Sequence, residues 1–420
     1  MFKLFLNNFV KLNQKSKIKK IGDVVIIISL IPVVLLIRLI SPIVLIRVDS
    51  IRASGIGHLL INNDIYINEK KDYHKRNIDL FFYDSLYGNK NHICNEYALK
   101  KILENGMHKF ISKRFIYLWK CHRLFPYHEK FITITSDFDK FNTILNSPSN
   151  IKFSKDEIDY IETILSKYNI SEFVCMANRD SNYKDKVFGK GKTDFQNIRN
   201  SKFSNCKKAI EHLSGYGIST IRMGKTIDNS DLYKGMVNIS ERNEAIDFLL
   251  FKKAKFSVIP DSGVSSFSSF LRKKVLIHDL VNMHKKFIYV FQPQSLFLPK
   301  KYFSKEKEKY LSFAEISKLF YSEYSNEADV LNSFKCFNIE VHENGEDEIL
   351  EAVKEMNERV DEIYVESKID YELQQKIWLL FMSEKEFDMY QPRIPKYYIE
   401  KNDFLVDGLL ENIENLKKNK

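Results

Sequence analysis

The second half of the chain contains three short β-type runs, each of which ends in a polar or glycine/serine loop and is separated from the next by a helical stretch. The runs lie at 173–176, 218–221 and 256–259. This alternation is typical of a doubly wound α/β domain with a parallel sheet. Ligands of such sheets bind at the carboxyl ends of the strands. The pattern therefore predicts both the fold class of this half and the edge where its site lies.

The residues that follow the three runs suit a phosphorylated ligand. In chain order they are Arg179 and Asp180, then Arg222 and Gly224, then a turn with Ser262, Gly263 and Ser265 that opens a helix. Guanidinium groups bind phosphate oxygens, and so do backbone N–H groups at a helix start. A surface ion pair with Asp180 is the alternative interpretation of Arg179. The combination of all three loops favours a phosphate site.

Length and charge limit the remaining classes. A chain of 420 residues predicts two domains. A net charge of +10 and a pI near 9.0 favour an anionic partner, but no nucleic-acid motif is present, so nucleic acid is not predicted. The five cysteines are scattered and lack Cys-x-x-Cys spacing, which indicates buried thiols in a reducing compartment rather than disulfides or a zinc site.

The N-terminus has the composition of a membrane-associated segment. Six lysines precede an apolar run at 24–37 that is interrupted only by Ser29 and Pro32. Fourteen helical residues reach roughly 21 Å, short of a hydrocarbon core of about 30 Å. Arg38, Arg47 and Arg52 follow the run, so both flanks are expected on the cytoplasmic side. The sequence favours an in-plane or re-entrant anchor on the inner leaflet, with a single span and a buried core helix as alternatives.

The pattern of elements predicts four regions. They are an anchoring segment at 1–40, an N-terminal Rossmann-like domain at 41–150, a C-terminal Rossmann-like domain at 151–360 and a helical extension at 361–420. Further strands are predicted at 43–48, 79–83 and 274–277, and helices at 95–104, 203–213, 243–253 and 346–360. The polar stretch at 146–150 marks the domain boundary.

A glycine-bearing loop at 49–59 runs into the first helix of the N-terminal domain. It contains Gly55, Gly57 and His58, and loops at strand ends often carry functional residues. A near-neutral imidazole can deprotonate an acceptor hydroxyl, so His58 is the predicted base, with Asp180 and Asp49 in reserve. The alternative is a helix-start histidine that bonds a local carbonyl.

Two Gly-Lys-Thr triplets and one Asp-x-Asp triplet do not predict nucleotide hydrolysis or a metal site. A P-loop needs glycine where this chain has Lys186 and Ser219, five residues before each triplet's glycine. Asp-x-Asp at 137–139 is a form that occurs often by chance. We predict neither a bound metal nor a cofactor.

Several short motifs follow one another along the chain: Gly55 to Leu59, Arg179–Asp180 with Tyr183, Arg199–Asn200–Ser201, Gly215–Tyr216 with Arg222 and Gly224, and Ser262–Gly263. Together they resemble a family of bacterial glycosyltransferases that is associated with surface polysaccharide and often marked by Arg-Ile-Gly-His-Leu near the N-terminus. The likeness covers residues 43–360, in order and with similar spacing.

The resemblance implies a GT-B-type fold of two Rossmann-like domains, with the nucleotide-sugar in the C-terminal half. It implies a glycan or lipid-linked acceptor and, as donor-binding residues, Tyr183, Arg199 and Asn200 beside the strand-end residues above. Gly55, Ala177 and Asn197 depart from the family pattern. These departures are compatible with an altered substrate or a weakened enzyme, and they keep open the alternative of a catalytically silent partner in a polysaccharide-assembly complex. A nucleotide-sugar epimerase on the same fold is a second alternative.

Overall fold

The chain is an α/β protein whose contacts cluster into two units, Met1–Asp137 and Phe138–Lys420. The computed structural model describes residues 17–71, 77–84, 93–104, 110–132, 134, 139, 141–181, 185, 189–190, 194–224, 232–320, 334 and 336–409. The domain limits predicted from sequence at 40, 150 and 360 stay predictions.

The first unit begins with two helices, Lys17–Ser29 and Ile31–Ile40. Pro32 lies in the first turn of the second helix, and the break falls at Leu30, because proline has no N–H to donate and its ring clashes with the preceding turn. Within the described residues, Gly22–Ile40 is a stretch of 19 residues that is long and apolar enough to cross a membrane, by length and composition only.

A parallel three-stranded sheet follows, with β1 (Leu45–Arg52), β2 (Asn77–Asp84) and β3 (Phe110–Ile111) in that order. The helices of this unit are Ile56–Lys71, Glu96–Glu104, Phe115–His122 and Glu129–Ile132. Asn95 caps the second of these, since its side chain accepts the N–H of Ala98 at 2.7 Å.

A buried ion pair fixes β1 to β2. Arg47 donates two hydrogen bonds to Asp79, at 2.8 and 3.0 Å, and the Tyr66 hydroxyl donates a third at 2.8 Å. Arg47 is one of the charges predicted to flank the apolar run, but its side chain lies inside the unit.

The second unit is built on a parallel five-stranded sheet. Its strands are β4 (Phe173–Met176), β5 (Ser219–Arg222), β6 (Ser257–Pro260), β7 (Val275–Leu280) and β8 (Leu296–Pro299), in the order β5-β4-β6-β7-β8. Every residue of β4, β6, β7 and β8 is buried, as expected for a parallel sheet covered on both faces.

The helices of this unit are Thr143–Asn146, Lys155–Lys167, Lys207–Gly215, Glu244–Lys253, Ser266–Phe270, Lys285–Ile288, Phe313–Phe320, Glu346–Val360, Lys368–Trp378, Glu384–Tyr390 and Lys396–Lys401. The 3₁₀ turns are Asp194–Arg199, Phe203–Cys206, Gly263–Ser265 and Asp403–Val406. Local signals explain several starts. Ser154 and Glu157 form a capping box, and the Asn243 side chain accepts the N–H groups of Ala245 and Ile246.

A small antiparallel sheet of β9 (Lys301–Ser304), β10 (Lys309–Tyr310) and β11 (Ile339–His342) was not predicted. The helices after residue 361 pack on the second unit. Tyr390 stacks on Tyr289 at 4.4 Å between ring centroids, and the Tyr398 hydroxyl donates to the Pro299 carbonyl at 2.7 Å.

Three expectations need correction. The predicted loop at 49–59 is mostly regular structure, because β1 continues to Arg52 and a helix begins at Ile56. The predicted helix at 203–213 starts as a 3₁₀ turn. Four cysteines are buried, but Cys336 is exposed. The remaining predicted strands, and the helices at 95–104, 243–253 and 346–360, are confirmed to within a few residues.

Candidate functional site

The candidate site lies at the carboxyl ends of β4 and β6. The strand order reverses there, since β5 lies on one side of β4 while β6 to β8 continue on the other. In doubly wound sheets this reversal opens the crevice in which ligands bind. Asn178 and Arg179 follow β4, and Asp261–Ser262–Gly263 follow β6, so the structure brings two of the three predicted loops to the reversal point.

Arg179 is buried and ties two loops together. Its Nη1 donates to the Gln196 carbonyl at 2.6 Å and its Nη2 to the Gln196 side chain at 3.1 Å. Its backbone N–H donates to Ser201 Oγ at 3.1 Å, and its carbonyl accepts the Ser201 N–H at 3.0 Å. These bonds hold the segment at 194–201 over the end of β4.

Arg199 binds the end of β6. Its Nη2 donates to Asp261 Oδ1 at 2.6 Å, and its Nε donates to the Asp261 carbonyl at 3.1 Å. The Asp261 side chain is only 2% exposed and that of Arg199 is 13% exposed, so this charge pair is largely buried. The pair connects the segment at 194–201 to the far side of the reversal point.

Arg222, at the end of β5, lies over the ring of Phe203, with 4.2 Å between the guanidinium carbon and the ring centroid. Its Nη2 donates to Asn178 Oδ1 at 3.1 Å. Gly224 has a φ of +134°, a backbone conformation that residues other than glycine rarely adopt. Glycine therefore allows the chain to turn there. The end of β5 thus joins the same edge.

Two hydrogen-bond donors of the serine turn after β6 bond to a carbonyl within the turn itself. The hydroxyl and N–H of Ser265 both donate to the Ser262 carbonyl, at 2.7 and 3.2 Å. The helix that follows, Ser266–Phe270, has only five residues. The sequence had suggested free N–H groups at this helix start, and for Ser265 this is wrong because its N–H closes the turn.

Two polar atoms at this edge are buried without a hydrogen-bond partner among the described residues. They are the hydroxyl oxygen of Ser262 and the amide oxygen of Asn200. The Asn200 amide nitrogen donates to Ser181 Oγ at 3.0 Å, which fixes the orientation of the group. Burying an unpaired polar atom costs about 1–3 kcal/mol, so each is a candidate ligand contact.

Sequence reasoning missed the polar residues that join β7 and β8 to the site. His278 Nδ1 lies 2.8 Å from Asp279 Oδ2, and both side chains are fully buried. Asp279 also exchanges two hydrogen bonds with Asn344, at 2.6 and 2.9 Å. The dipeptide His-Asp directly after a predicted strand was the available signal.

Lys300 completes this group. It is 3% exposed, its Nζ donates to the Asn200 carbonyl at 2.6 Å, and it lies 3.9 Å from Asp279. Burial lowers the pKa of Lys300, and the charge of Asp279 opposes that shift. We call the following residues the strand-end network: Arg179, Arg199, Asp261, His278, Asp279, Lys300 and Asn344.

The remaining predicted residues are placed separately. His58 and Gly57 lie in the first turn of the helix Ile56–Lys71, directly after Gly55. Asp49 accepts the N–H groups of Ser50 and Ile134, at 2.7 and 2.9 Å, so its carboxylate has a structural role. Asp180 follows Arg179 at the site edge.

Tyr183 lies outside the described residues, as do the whole first Gly-Lys-Thr triplet and the Lys and Thr of the second. Asp139 caps the helix Thr143–Asn146 through hydrogen bonds to Thr143 and Ile144. In the described part of the chain, no group of three or more His, Cys, Asp or Glu residues has metal-binding geometry.

No protein-family model matches the chain, and no curated protein matches it. Solved structures similar to it include the glycosyl transferase family 9 protein from Veillonella parvula, at 11% identity and a TM-score of 0.42 over 75% of this chain and 97% of that chain. The E. coli ADP-heptose lps heptosyltransferase II is similar at 10% identity and 0.32, over 55% and 84%. The S. aureus MnaA–UDP structure is similar at 14% and 0.22, over 64% and 66%. Likeness at this level assigns no function to the chain.

Proposed function

We propose that the protein is a glycosyltransferase of the GT-B class, which moves a sugar from a nucleotide-activated donor to a polysaccharide, lipid-linked or other surface-glycan acceptor. The observation that carries the proposal is the reversal point of the five-stranded sheet. There Arg179 and the Asp261–Ser262–Gly263 turn flank the place where doubly wound sheets bind ligands.

The donor's diphosphate is assigned to this edge. Arg179, Arg199 and Arg222 come from three different segments of the chain, and their hydrogen bonds and ring contact orient them before any ligand binds. Preorganised positive groups stabilise the charge that develops on a leaving nucleoside diphosphate, without a need for metal. The Ser262 hydroxyl and the Asn200 amide oxygen supply unused polar contacts for the sugar or the nucleoside.

The acceptor is assigned to the N-terminal half. His58 is the proposed base that takes the proton from the acceptor hydroxyl, with Asp180 in reserve. The helix start places the His58 imidazole on a rigid element, half-buried in the Met1–Asp137 unit.

One observation favours a second candidate, the catalytically silent partner. Arg199 is held by the buried carboxylate of Asp261, and Arg179 is held by Gln196. A diphosphate must compete with these contacts or add to them. If they use the whole binding capacity of the two guanidinium groups, the site holds no nucleotide.

Thermal unfolding with a panel of nucleoside diphosphates (UDP, ADP, GDP and CDP) in the presence of EDTA separates these candidates. A ligand at a hundredfold its Kd stabilises the folded state by about 2.7 kcal/mol, which raises the melting temperature measurably. Glycosyl transfer predicts stabilisation by at least one of them. If none stabilises folded protein, with or without Mg²⁺, the silent partner is the correct assignment. An epimerase would consume nucleotide-sugar with no acceptor present.

A matched pair of serines localises the site. The hydroxyls of Ser262 and Ser268 are both buried without a partner among the described residues. Ser262 lies at the reversal point and Ser268 lies inside the following helix. Ser262→Ala is expected to weaken nucleotide binding about two- to tenfold, the value of one neutral hydrogen bond. Ser268→Ala is expected to leave it unchanged, and equal effects would place the nucleotide elsewhere.

A further inference from the structure

The two N-terminal helices and the turn after them carry a row of large aliphatic side chains exposed to solvent. Their exposed fractions run from 41% to 79%. We call the following residues the aliphatic face: Val25, Ile26, Ile28, Val33, Leu35, Leu36, Leu39 and Ile43. Exposed large aliphatic side chains in such number mark a surface that binds a protein or a membrane.

The opposite side of the same helices is packed against the first unit. Ile27, Val34 and Ile37 are buried and belong to a core cluster that includes Leu118 and Phe131. Near the start of the helices, the Tyr117 hydroxyl donates to Asp23 at 2.9 Å. The helices are therefore held to the unit along their apolar length.

Arg38 does not interrupt the aliphatic face. Its Nη1 donates to the Pro126 carbonyl at 2.8 Å, and its guanidinium carbon lies 4.7 Å from the ring centroid of Phe131. The charge that follows the apolar run in the sequence thus contacts the protein. Leu36 and Leu39, on either side of it, remain exposed.

The surroundings of the face are basic. The segment at 110–132 packs against the helices and carries five Lys or Arg residues and one acid, Glu129. Lys113, Arg114, Arg123 and Lys130 of this segment are exposed. In the sequence, the first 20 residues contain six lysines and no acid.

We propose that the aliphatic face docks in the plane of an anionic bilayer surface, with the basic residues around it bound to lipid phosphates. Apolar insertion together with basic charge is the combination that binds anionic membranes. A second copy of this chain fits less well, because pairing two such faces brings two basic rims together.

The packing also decides orientation. A helix that crosses the bilayer is surrounded by lipid over about 30 Å, so it loses its contacts with a folded unit outside the bilayer. Here one side is occupied by the unit itself, through Asp23, Val34 and Arg38. The helices therefore lie along the membrane, and both chain termini are on the same side of it.

The test is co-sedimentation of the full chain with vesicles, without donor or acceptor, so that its outcome is independent of the transfer reaction. We expect binding to phosphatidylcholine vesicles that contain phosphatidylglycerol, and weak binding to phosphatidylcholine alone or at high salt. The triple variant Leu35→Ser/Leu36→Ser/Leu39→Ser should bind at least tenfold more weakly.

The matched control is Ile363→Ser/Val365→Ser/Ile369→Ser. These three side chains are also exposed, at 66%, 88% and 78%, but lie in the second unit. The control should bind vesicles like the wild type, and both triple variants should keep its melting temperature. The proposal would be overturned if the first triple variant bound vesicles as tightly as the wild type. It would also be overturned if the wild type were a dimer and this variant a monomer with unchanged vesicle binding. Reporters on the N- and C-termini that lie on opposite sides of the membrane would overturn the in-plane orientation.

Discussion

Folded proteins usually bury apolar side chains and expose charged ones. The aliphatic face and the strand-end network depart from this pattern in opposite directions. The first exposes leucine and isoleucine, as at Leu36 and Leu39, while the second buries charges such as Asp261 and Lys300. The buried charges have partners within hydrogen-bond distance, whereas the exposed aliphatic side chains have no apolar cover in the described part of the chain. The comparison shows that charged side chains are buried here where another polar group pairs with them. An exposed apolar face without cover indicates a binding partner outside the chain.

The largest expected effect is a loss of turnover, and it contrasts one residue of the first unit with one of the second. His58→Ala should cut turnover about a hundredfold to ten-thousandfold and leave nucleotide binding nearly intact, because a general base acts only on the acceptor. Arg179→Ala should instead weaken nucleotide binding, as measured by calorimetry on protein with an unchanged circular-dichroism spectrum. Full turnover of His58→Ala with a known donor and acceptor would make the helix start purely structural.

Breaking the buried charge pair should cost more stability than any surface change. Asp261→Asn leaves the Arg199 guanidinium without its carboxylate, and such a loss typically costs about 3–5 kcal/mol. Urea unfolding monitored by fluorescence measures it. Asp347→Asn, which breaks the exposed pair with Lys208, is the control and should leave the midpoint unchanged. Equal midpoints for both variants would contradict the buried role of the pair.

Two neighbouring residues on one helix test the two sides of the N-terminal segment. Ile37 is 6% exposed and Leu36 is 57% exposed. Ile37→Ala should cost about 2–5 kcal/mol of unfolding free energy, whereas Leu36→Ala should stay within about 0.5 kcal/mol. Denaturation in lipid-free buffer checks both. A large loss from Leu36→Ala would mean that the aliphatic face is covered by the protein itself.

His122 gives a smaller, pH-dependent effect. Its ring is fully buried and stacks on Phe131, and burial lowers the pKa of His122 to about 4. The unfolded state, with a pKa near 6.5, binds the proton first as pH falls, so stability is lost between about pH 6.5 and pH 4. The shift corresponds to at most about 3 kcal/mol.

His122→Phe should remove this part of the acid sensitivity while keeping the ring contact. Melting temperatures of wild type and variant, measured from pH 7 to pH 4.5, give the comparison. Carboxylates titrate in both proteins and cancel. Parallel curves for the two proteins would show that His122 titrates normally.

The sequence located six strands and several helices because their signals are local. Apolar runs and polar residues at helix starts, such as Asn243, mark elements within a few positions of themselves. The antiparallel sheet of β9 to β11 was missed because its short strands contain charged residues such as Lys301, Lys309 and Glu340 and are only partly buried. Strands β4 and β6 also have four residues each, but they are buried throughout and form apolar runs in the sequence.

The candidate site could be predicted only in part. Arg179 and Ser262 follow predicted strands, so the chain pattern puts them at one edge. Lys300 was missed because its partner Asn200 is 100 positions away in the chain, and Asn344 is 65 positions from Asp279. No local pattern marks such pairs.

The sequence by itself determined the α/β class of both units, the order of the strands in the chain and the apolar, basic character of the N-terminus. The tertiary structure alone decided that Arg199 binds Asp261, 62 positions on, and that Arg38 turns away from the aliphatic face towards Phe131. The physical reason is that residue type and spacing fix backbone preferences over a few turns, whereas a charged side chain takes the partner that folding brings within reach of it.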